Sequence, residues 1–149
     1  MSTRALGIDL GSKRIGVALS NTDQTVATPL QTVQRLRDQV ATHRTLVELA
    51  TEWEVGVVVI GVPYSLDGSV GPSAAGVLAE IELLRATFRV PVELYDERLT
   101  TVTAQRSIQE MGLPPSTRRD VVDQIAASVL LQGWLDQQRS GAAPSQDTP

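Results

Sequence analysis

Four acidic residues stand out by where they fall in the chain. Asp9 interrupts the apolar run Leu6-Gly-Ile-Asp-Leu10, Asp96 and Glu97 follow an apolar segment at 90–95, and Asp123 lies within Val121-Val-Asp-Gln-Ile-Ala-Ala127. An ionisable group on a buried strand is costly unless something compensates it, and a bound cation or a phosphate-handling site is a common compensation. Carboxylates gathered from distant sequence repel one another and remain ionised with cations between them. That arrangement serves two-metal phosphodiester hydrolysis, with ions about 3.5–4 Å apart, one activating the attacking water and the other stabilising the leaving oxygen. Asp9, Glu97 and Asp123 are therefore the candidate catalytic residues and metal ligands. Successive strand residues face opposite ways, so Asp96 and Glu97 do not both point into one site, and we choose Glu97 over Asp96. Taken alone, Asp123 also fits a solvated residue near a helix start, favoured by the helix dipole.

The elements that must position these acids follow from patterning. Residues 4–10 and 14–20 read as strands joined by the tight turn Gly11-Ser12-Lys13, a β-hairpin. A third strand is expected over 24–33, with Pro29 at an edge or bend. Helical spacing over 39–53 precedes Val55-Gly-Val-Val-Val-Ile60, a run typical of a strand buried on both faces. The loop 61–71, rich in Gly, Pro, Asp and Ser, leads to Pro72, suited to the first turn of a helix reaching 88, and a short strand follows at 90–95. Thr100 or Thr101 can cap a helix running to Met111 and stopped by Gly112. Thr117 with Asp120 resembles a capping box that opens a last helix to 137. The fold class is thus α/β: a mixed five-stranded sheet, antiparallel in strands 1 to 3 and parallel thereafter, flanked by helices. This is the element order of the ribonuclease H-like fold, in which the first and fourth strands are central neighbours and a C-terminal helix packs across them. One domain over 1–138 is expected, with a disordered tail at 139–149.

Composition narrows the chemistry. The chain of 149 residues is 42% hydrophobic and 20% charged, enough for one core. With no cysteine and the single His43, thiolate and histidine-rich zinc sites are excluded, so an ion must be held by oxygen, as Mg2+ or Mn2+. No charged-then-apolar leader and no apolar run near the ~18 residues of a membrane span is present, so a cytoplasmic protein without a membrane partner is expected. The net charge of −4 argues against a protein that coats nucleic acid. All but one of the 13 basic residues are Arg. Those beside the acids, Arg14, Arg98, Arg118 and Arg119, together with Lys13, are the candidate substrate-binding residues. Their rival roles are ordinary: turn residues for Lys13 and Arg14, an ion pair to Asp96 for Arg98. With 2 Trp, 2 Tyr and 1 Phe the chain has no base-stacking platform, although Tyr64 could stack on a base. His43 is expected on an exposed helix face, with no role.

Over residues 6–136 the chain resembles the YqgF family, the pre-16S ribosomal RNA nuclease and Holliday-junction-resolvase-like proteins of bacteria, within the ribonuclease H-like superfamily. Four blocks carry the resemblance: Gly7-Ile-Asp-Leu-Gly-Ser-Lys-Arg-Ile-Gly-Val-Ala18; Gly61-Val-Pro with Asp67-Gly68; Asp96-Glu-Arg-Leu-Thr-Thr101; and Asp123-Gln-Ile-Ala-Ala with Leu131-Gln-Gly-Trp-Leu135. Sugar kinases and actin-like ATPases open on a similar hairpin, but they close two like lobes on a nucleotide, whereas this chain has one lobe and no internal repeat. The resemblance implies catalytic carboxylates at Asp9, Glu97 and Asp123, and hydrolysis of phosphodiester bonds at the ends of precursor 16S ribosomal RNA. Two other functions are weighed: resolution of four-way DNA junctions, which usually needs a homodimer rather than a monomer, and a non-catalytic module binding nucleic acid, the ribosomal subunit or assembly factors. The chain departs from the family at Arg118-Arg119-Asp120, where a Lys-rich approach is common, and at Trp134, where Tyr or Phe is common.

Overall fold

The structure, a computed structural model, describes residues 3–100 and 115–141. In chain order it contains β1 (Arg4–Leu10), β2 (Arg14–Ser20), β3 (Ala27–Gln34), α1 (Gln39–Glu52), β4 (Val55–Val62), α2 (Pro72–Thr87), β5 (Val92–Asp96), a 3-10 turn (Glu97–Leu99) and α3 (Pro115–Gly141). The sheet runs β3-β2-β1-β4-β5. Its β1–β2 and β2–β3 pairs are antiparallel, and its β1–β4 and β4–β5 pairs are parallel. The expected mixed sheet, with β1 and β4 as central neighbours, is therefore present.

Alternation along β1 divides the core. Leu6 and Ile8 join Ile15, Val17, Val58 and Ile60 beneath Leu46 of α1 and Ile81 and Leu84 of α2. Ala5 belongs to the opposite layer with Ala18, Val59 and Tyr95, covered by Ala126, Ala127, Leu130, Leu131, Trp134 and Leu135 of α3. A central strand covered on both faces needs apolar side chains in both parities, hence the nearly unbroken apolar runs of β1 and β4.

Several boundaries differ from the sequence expectations for local reasons. β3 starts at Ala27 because Asn21 organises a turn: its Oδ1 accepts from the backbone N–H of Thr25 and Val26, and Gln24 takes a left-handed φ of 55°. Pro29 lies on this edge strand at a register shift, where its missing N–H is tolerated. α3 starts at Pro115, upstream of Thr117, and its helical bonding continues to Gly141, past the expected tail boundary at 139. The expected helix from Thr100 or Thr101 to Met111 and the remaining tail, 142–149, fall outside the described residues. Thr100 itself closes the 3-10 turn, donating its N–H to the carbonyl of Glu97 at 3.1 Å.

α3 sits close on the sheet. A Cβ added at Gly16 would overlap the backbone carbonyl oxygen of Asp123. Gln132 ties the helix to the sheet edge: its Oε1 accepts from the N–H of Ala27 at 2.8 Å and its Nε2 donates to the carbonyl of Thr25 at 2.9 Å. Thr32 Oγ1 donates to the Asp120 carbonyl at 2.7 Å.

Replacing Gly16 by Ala forces this helix off the sheet, and we expect a loss of about 2 kcal/mol in urea unfolding, in the range of overpacked cores. Gly76, inside α2, has nothing within 4 Å of an added Cβ. Gly76→Ala is therefore the matched control, expected to be neutral or to stabilise by up to about 1 kcal/mol.

Candidate active site

Asp9 is 7% exposed, on the sheet face that α3 covers. Its partner across β2 is Gly16, and the parallel pairing Ile8↔Ile60 places Gly61 of β4 on its other side. Both neighbours lack a side chain, and both are roofed by an acid. A Cβ at Gly61 would stand 2.7 Å from Oε2 of Glu97, and one at Gly16 would stand 3.2 Å from the Cβ of Asp123. The fold thus brings Glu97, from the turn after β5, and Asp123, from α3, to either side of Asp9.

The three acids are not equivalent. Asp9 and Glu97 line a common cleft of about 490 Å3 at the C-terminal ends of β1 and β4, with Gly11, Ser12, Pro63 and Pro72 on its walls. Asp123 is instead turned to Arg14, whose Nε donates to its Oδ2 at 2.7 Å. Among the described residues no three of His, Cys, Asp and Glu stand together as an ion cage. In chemistry the donor set still fits a hard divalent cation, because every acid at the site offers oxygen, and two of them share the cleft. Arg14 must release Asp123 Oδ2 before that oxygen can meet an ion.

Asp96 and Glu97 have different partners, but not by strand alternation: β5 ends at Asp96, and Glu97 opens the 3-10 turn. Asp96 closes onto its own turn, accepting from the Arg98 N–H at 2.9 Å and from the Arg98 guanidinium at 2.6 Å. Those hydrogen bonds hold its carboxyl below the ordinary range against the opposing effect of burial. Arg98 also donates to the carbonyl of Leu66 at 3.3 Å and lies 5.8 Å over the ring of Tyr64, so it anchors the loop that forms the cleft rim. The ion pair set out as the rival role of Arg98 is present. Lys13 is exposed in the hairpin turn. The side chains of Arg118 and Arg119 lie outside the described residues.

Sequence reasoning missed a second group beneath the same cleft. Arg35 donates Nε to the carbonyl of Gly11 at 2.7 Å and grips Glu80 with both terminal nitrogens, at 2.8 and 2.9 Å. His43, expected to be exposed, is 4% exposed and places Nε2 2.7 Å from Oε2 of Glu80. An ionised carboxylate only accepts, so this nitrogen carries the proton. Burial raises the pKa of Glu80, but the hydrogen bonds and charges of Arg35 and His43 outweigh it and leave the carboxyl below its ordinary value. A signal existed: Glu80 precedes Ile81 and Leu84 on the buried stripe of α2, and His43 shares the stripe of Leu46 and Ala50 on α1. A charge inside an apolar stripe asks for a partner.

A five-stranded sheet in this order, with a helix laid across its centre, is the ribonuclease H-like architecture. Thermus thermophilus RuvC solved in complex with a Holliday junction substrate shares the fold at a TM-score of 0.59 and 16% identity, covering 93% of this chain and 96% of that one. A further T. thermophilus RuvC structure aligns at 0.55 and 14% identity, with the same coverage. The chain belongs to the RuvX family, described as Holliday junction resolvase, which it matches over residues 3–137. It is 48% identical to the "Putative pre-16S rRNA nuclease" of Mycobacterium leprae (strain Br4923), an alignment spanning 98% of this chain and 79% of the relative. The protein of the same name from Mycobacterium sp. (strain KMS) is 46% identical over 96% of this chain and 86% of its own length. The protein is accordingly a nuclease, a hydrolase of phosphodiester bonds.

The network around Glu80 gives a signed pH dependence. Because its folded carboxyl titrates below the ordinary value of 4.5, its stabilisation is complete above that pH and lost as pH falls through the folded value. Urea unfolding of the wild type should therefore weaken below about pH 4.5, and Glu80→Gln should remove that part of the slope. Glu80→Ala, which strands Arg35 and His43, should cost about 3 kcal/mol at neutral pH.

Proposed function

We propose that this chain is a divalent-metal-dependent nuclease that trims the ends of precursor 16S ribosomal RNA in the cytoplasm. The observation that carries the reading is the pairing of Asp9 and Glu97 in one cleft, flanked by glycines that leave room over the strand ends. The names borne by relatives at 45–48% identity over nearly the whole chain support the RNA substrate.

Asp9 and Glu97 would hold Mg2+ or Mn2+, with Asp123 as third ligand. Such ions, when bound, activate water and stabilise the leaving oxygen. The chain's own contribution is placement. Asp9 is carried by a central strand and Glu97 by a short turn closed by Thr100, which fixes where their backbones stand. Lys13, on the hairpin turn beside Asp9, supplies a positive charge for a phosphate, and Arg98 does so from the opposite rim while bonded to Asp96. Arg118 and Arg119 are the remaining candidates for phosphate contact. Since the chain as a whole carries −4, we infer that a ribosomal subunit or assembly factor contributes to affinity.

The family description favours a second reading, in which the same chemistry cuts a four-way DNA junction. Two strands must then be met by two sites, hence a homodimer. Cleavage assays on precursor 16S RNA and on a four-way junction, run side by side with Mg2+ or Mn2+ and with solution mass measured, separate the two. RNA cleavage by a monomer is the expected result, and Asp9→Asn should lower it at least about a hundredfold while leaving the fold intact. Cleavage undiminished in that variant sinks the assignment of Asp9. Binding of RNA without turnover in either metal supports the non-catalytic alternative.

A further inference from the structure

Arg14 occupies an unusual position for a residue on the way to a phosphate. It lies two residues before Gly16 on β2, on the face that α3 covers, and Gly16 is both the partner of Asp9 and the residue over which Asp123 sits. The bond from Arg14 Nε to Asp123 Oδ2 is 2.7 Å long, with the two side chains 23% and 13% exposed. The pair is dry enough to outweigh a surface ion pair and open enough for a solute to reach. It is also well placed to relieve the repulsion expected where Asp9, Glu97 and Asp123 approach one another. A positive charge bonded to Asp123 offsets one of the three negative charges.

Asp123 therefore has two competing partners, the guanidinium of Arg14 and a divalent ion held by Asp9 and Glu97. Arg14 also has two: Asp123 and any phosphodiester entering the cleft, which a planar guanidinium binds as readily as a carboxylate. We propose that Arg14 is an internal counter-ion that withholds Asp123 from the metal site until a phosphate draws it away. The inference rests on the metal-nuclease reading above and adds an order of assembly to it. Substrate phosphate and metal then strengthen each other's binding, by equal factors in both directions. Arg14 acts through Asp123, so it is a positioning residue.

The test reads metal binding rather than cleavage. Mn2+ is titrated into the full chain without nucleic acid, and the loss of the free-ion EPR signal gives the affinity. Arg14→Gln should bind Mn2+ about tenfold more tightly than the wild type, within the usual span of coupling between sites. Adding Asp123→Asn to it should erase that gain, and Arg14→Lys, which keeps the charge, should fall back toward wild type. A merely structural role for Arg14 predicts the opposite sign, because a loosened site binds metal less well. Should Arg14→Gln fail to fold by circular dichroism, the wild type decides: dimethyl phosphate, a stable diester that binds Mn2+ only weakly by itself, should tighten its Mn2+ binding severalfold against a protein-free control, and should not do so in Asp123→Asn. Unchanged or weaker binding in Arg14→Gln, or no response of the wild type to the diester, overturns the proposal. Binding that is lost in Asp9→Asn but indifferent to Arg14 sinks the counter-ion and spares the metal site. No Mn2+ bound by any form sinks both.

Discussion

The contact on which the site depends is backbone against backbone. Where α3 crosses β2, Gly16 lies against the backbone of Asp123, and where it crosses β1, Gly7 lies against the carbonyl of Ala127, so the main chains approach with almost nothing between them. Core packing tolerates little added volume, and here there is none to give. The closeness fixes the height of α3, and the height of α3 fixes where Asp123 stands relative to Asp9. Gly61 works the same way on the other side, leaving the space that the Glu97 carboxylate fills. The site is thus a consequence of missing side chains as much as of present ones.

The opposite layer supports the same point from below. Arg35 holds the carbonyl of Gly11, the first residue after β1, and is itself held by Glu80 of α2, which His43 of α1 also engages. A buried ion pair of this kind adds little net stability over an apolar replacement, because desolvation of both partners offsets their attraction. Its effect is positional. Helices α1 and α2 and the end of β3 all converge on one peptide two residues beyond Asp9, so the hairpin turn at the cleft mouth is held by the whole apolar face of the sheet.

Much of this could be read from the chain. A charge in an apolar run is conspicuous, which is why Asp9 could be singled out from one strand, and the order of strands and helices followed from periodicity and turn residues. The preference for Glu97 over Asp96 rests on strand alternation, whereas in the structure β5 ends at Asp96 and the chain turns at Glu97, with Arg98 binding the first of the two. What could not be read were the pairings. Arg14 meets Asp123 across 109 positions and His43 meets Glu80 across 37; the apolar stripes around Glu80 and His43 show that each needs a partner but not which one. Strand ends were misplaced where a side chain took over the backbone's bonding, as Asn21 does before β3. Local patterns report burial well and partner identity poorly, because a partner is a property of the fold.

The pairings change how the charge of the chain should be understood. Three arginines near the cleft each hold a carboxylate: Arg14 with Asp123, Arg35 with Glu80, and Arg98 with Asp96. A guanidinium bonded to a carboxylate offers a passing phosphate much less than its full charge, so counting basic residues overstates the attraction of this surface for a polyanion. With a net charge of −4 behind it, the cleft has a weak field of its own. Under the metal-dependent reading proposed above, ions held by Asp9 and Glu97 would supply, beside any partner, part of the attraction that the protein does not, and affinity for nucleic acid would follow divalent occupancy as well as ionic strength.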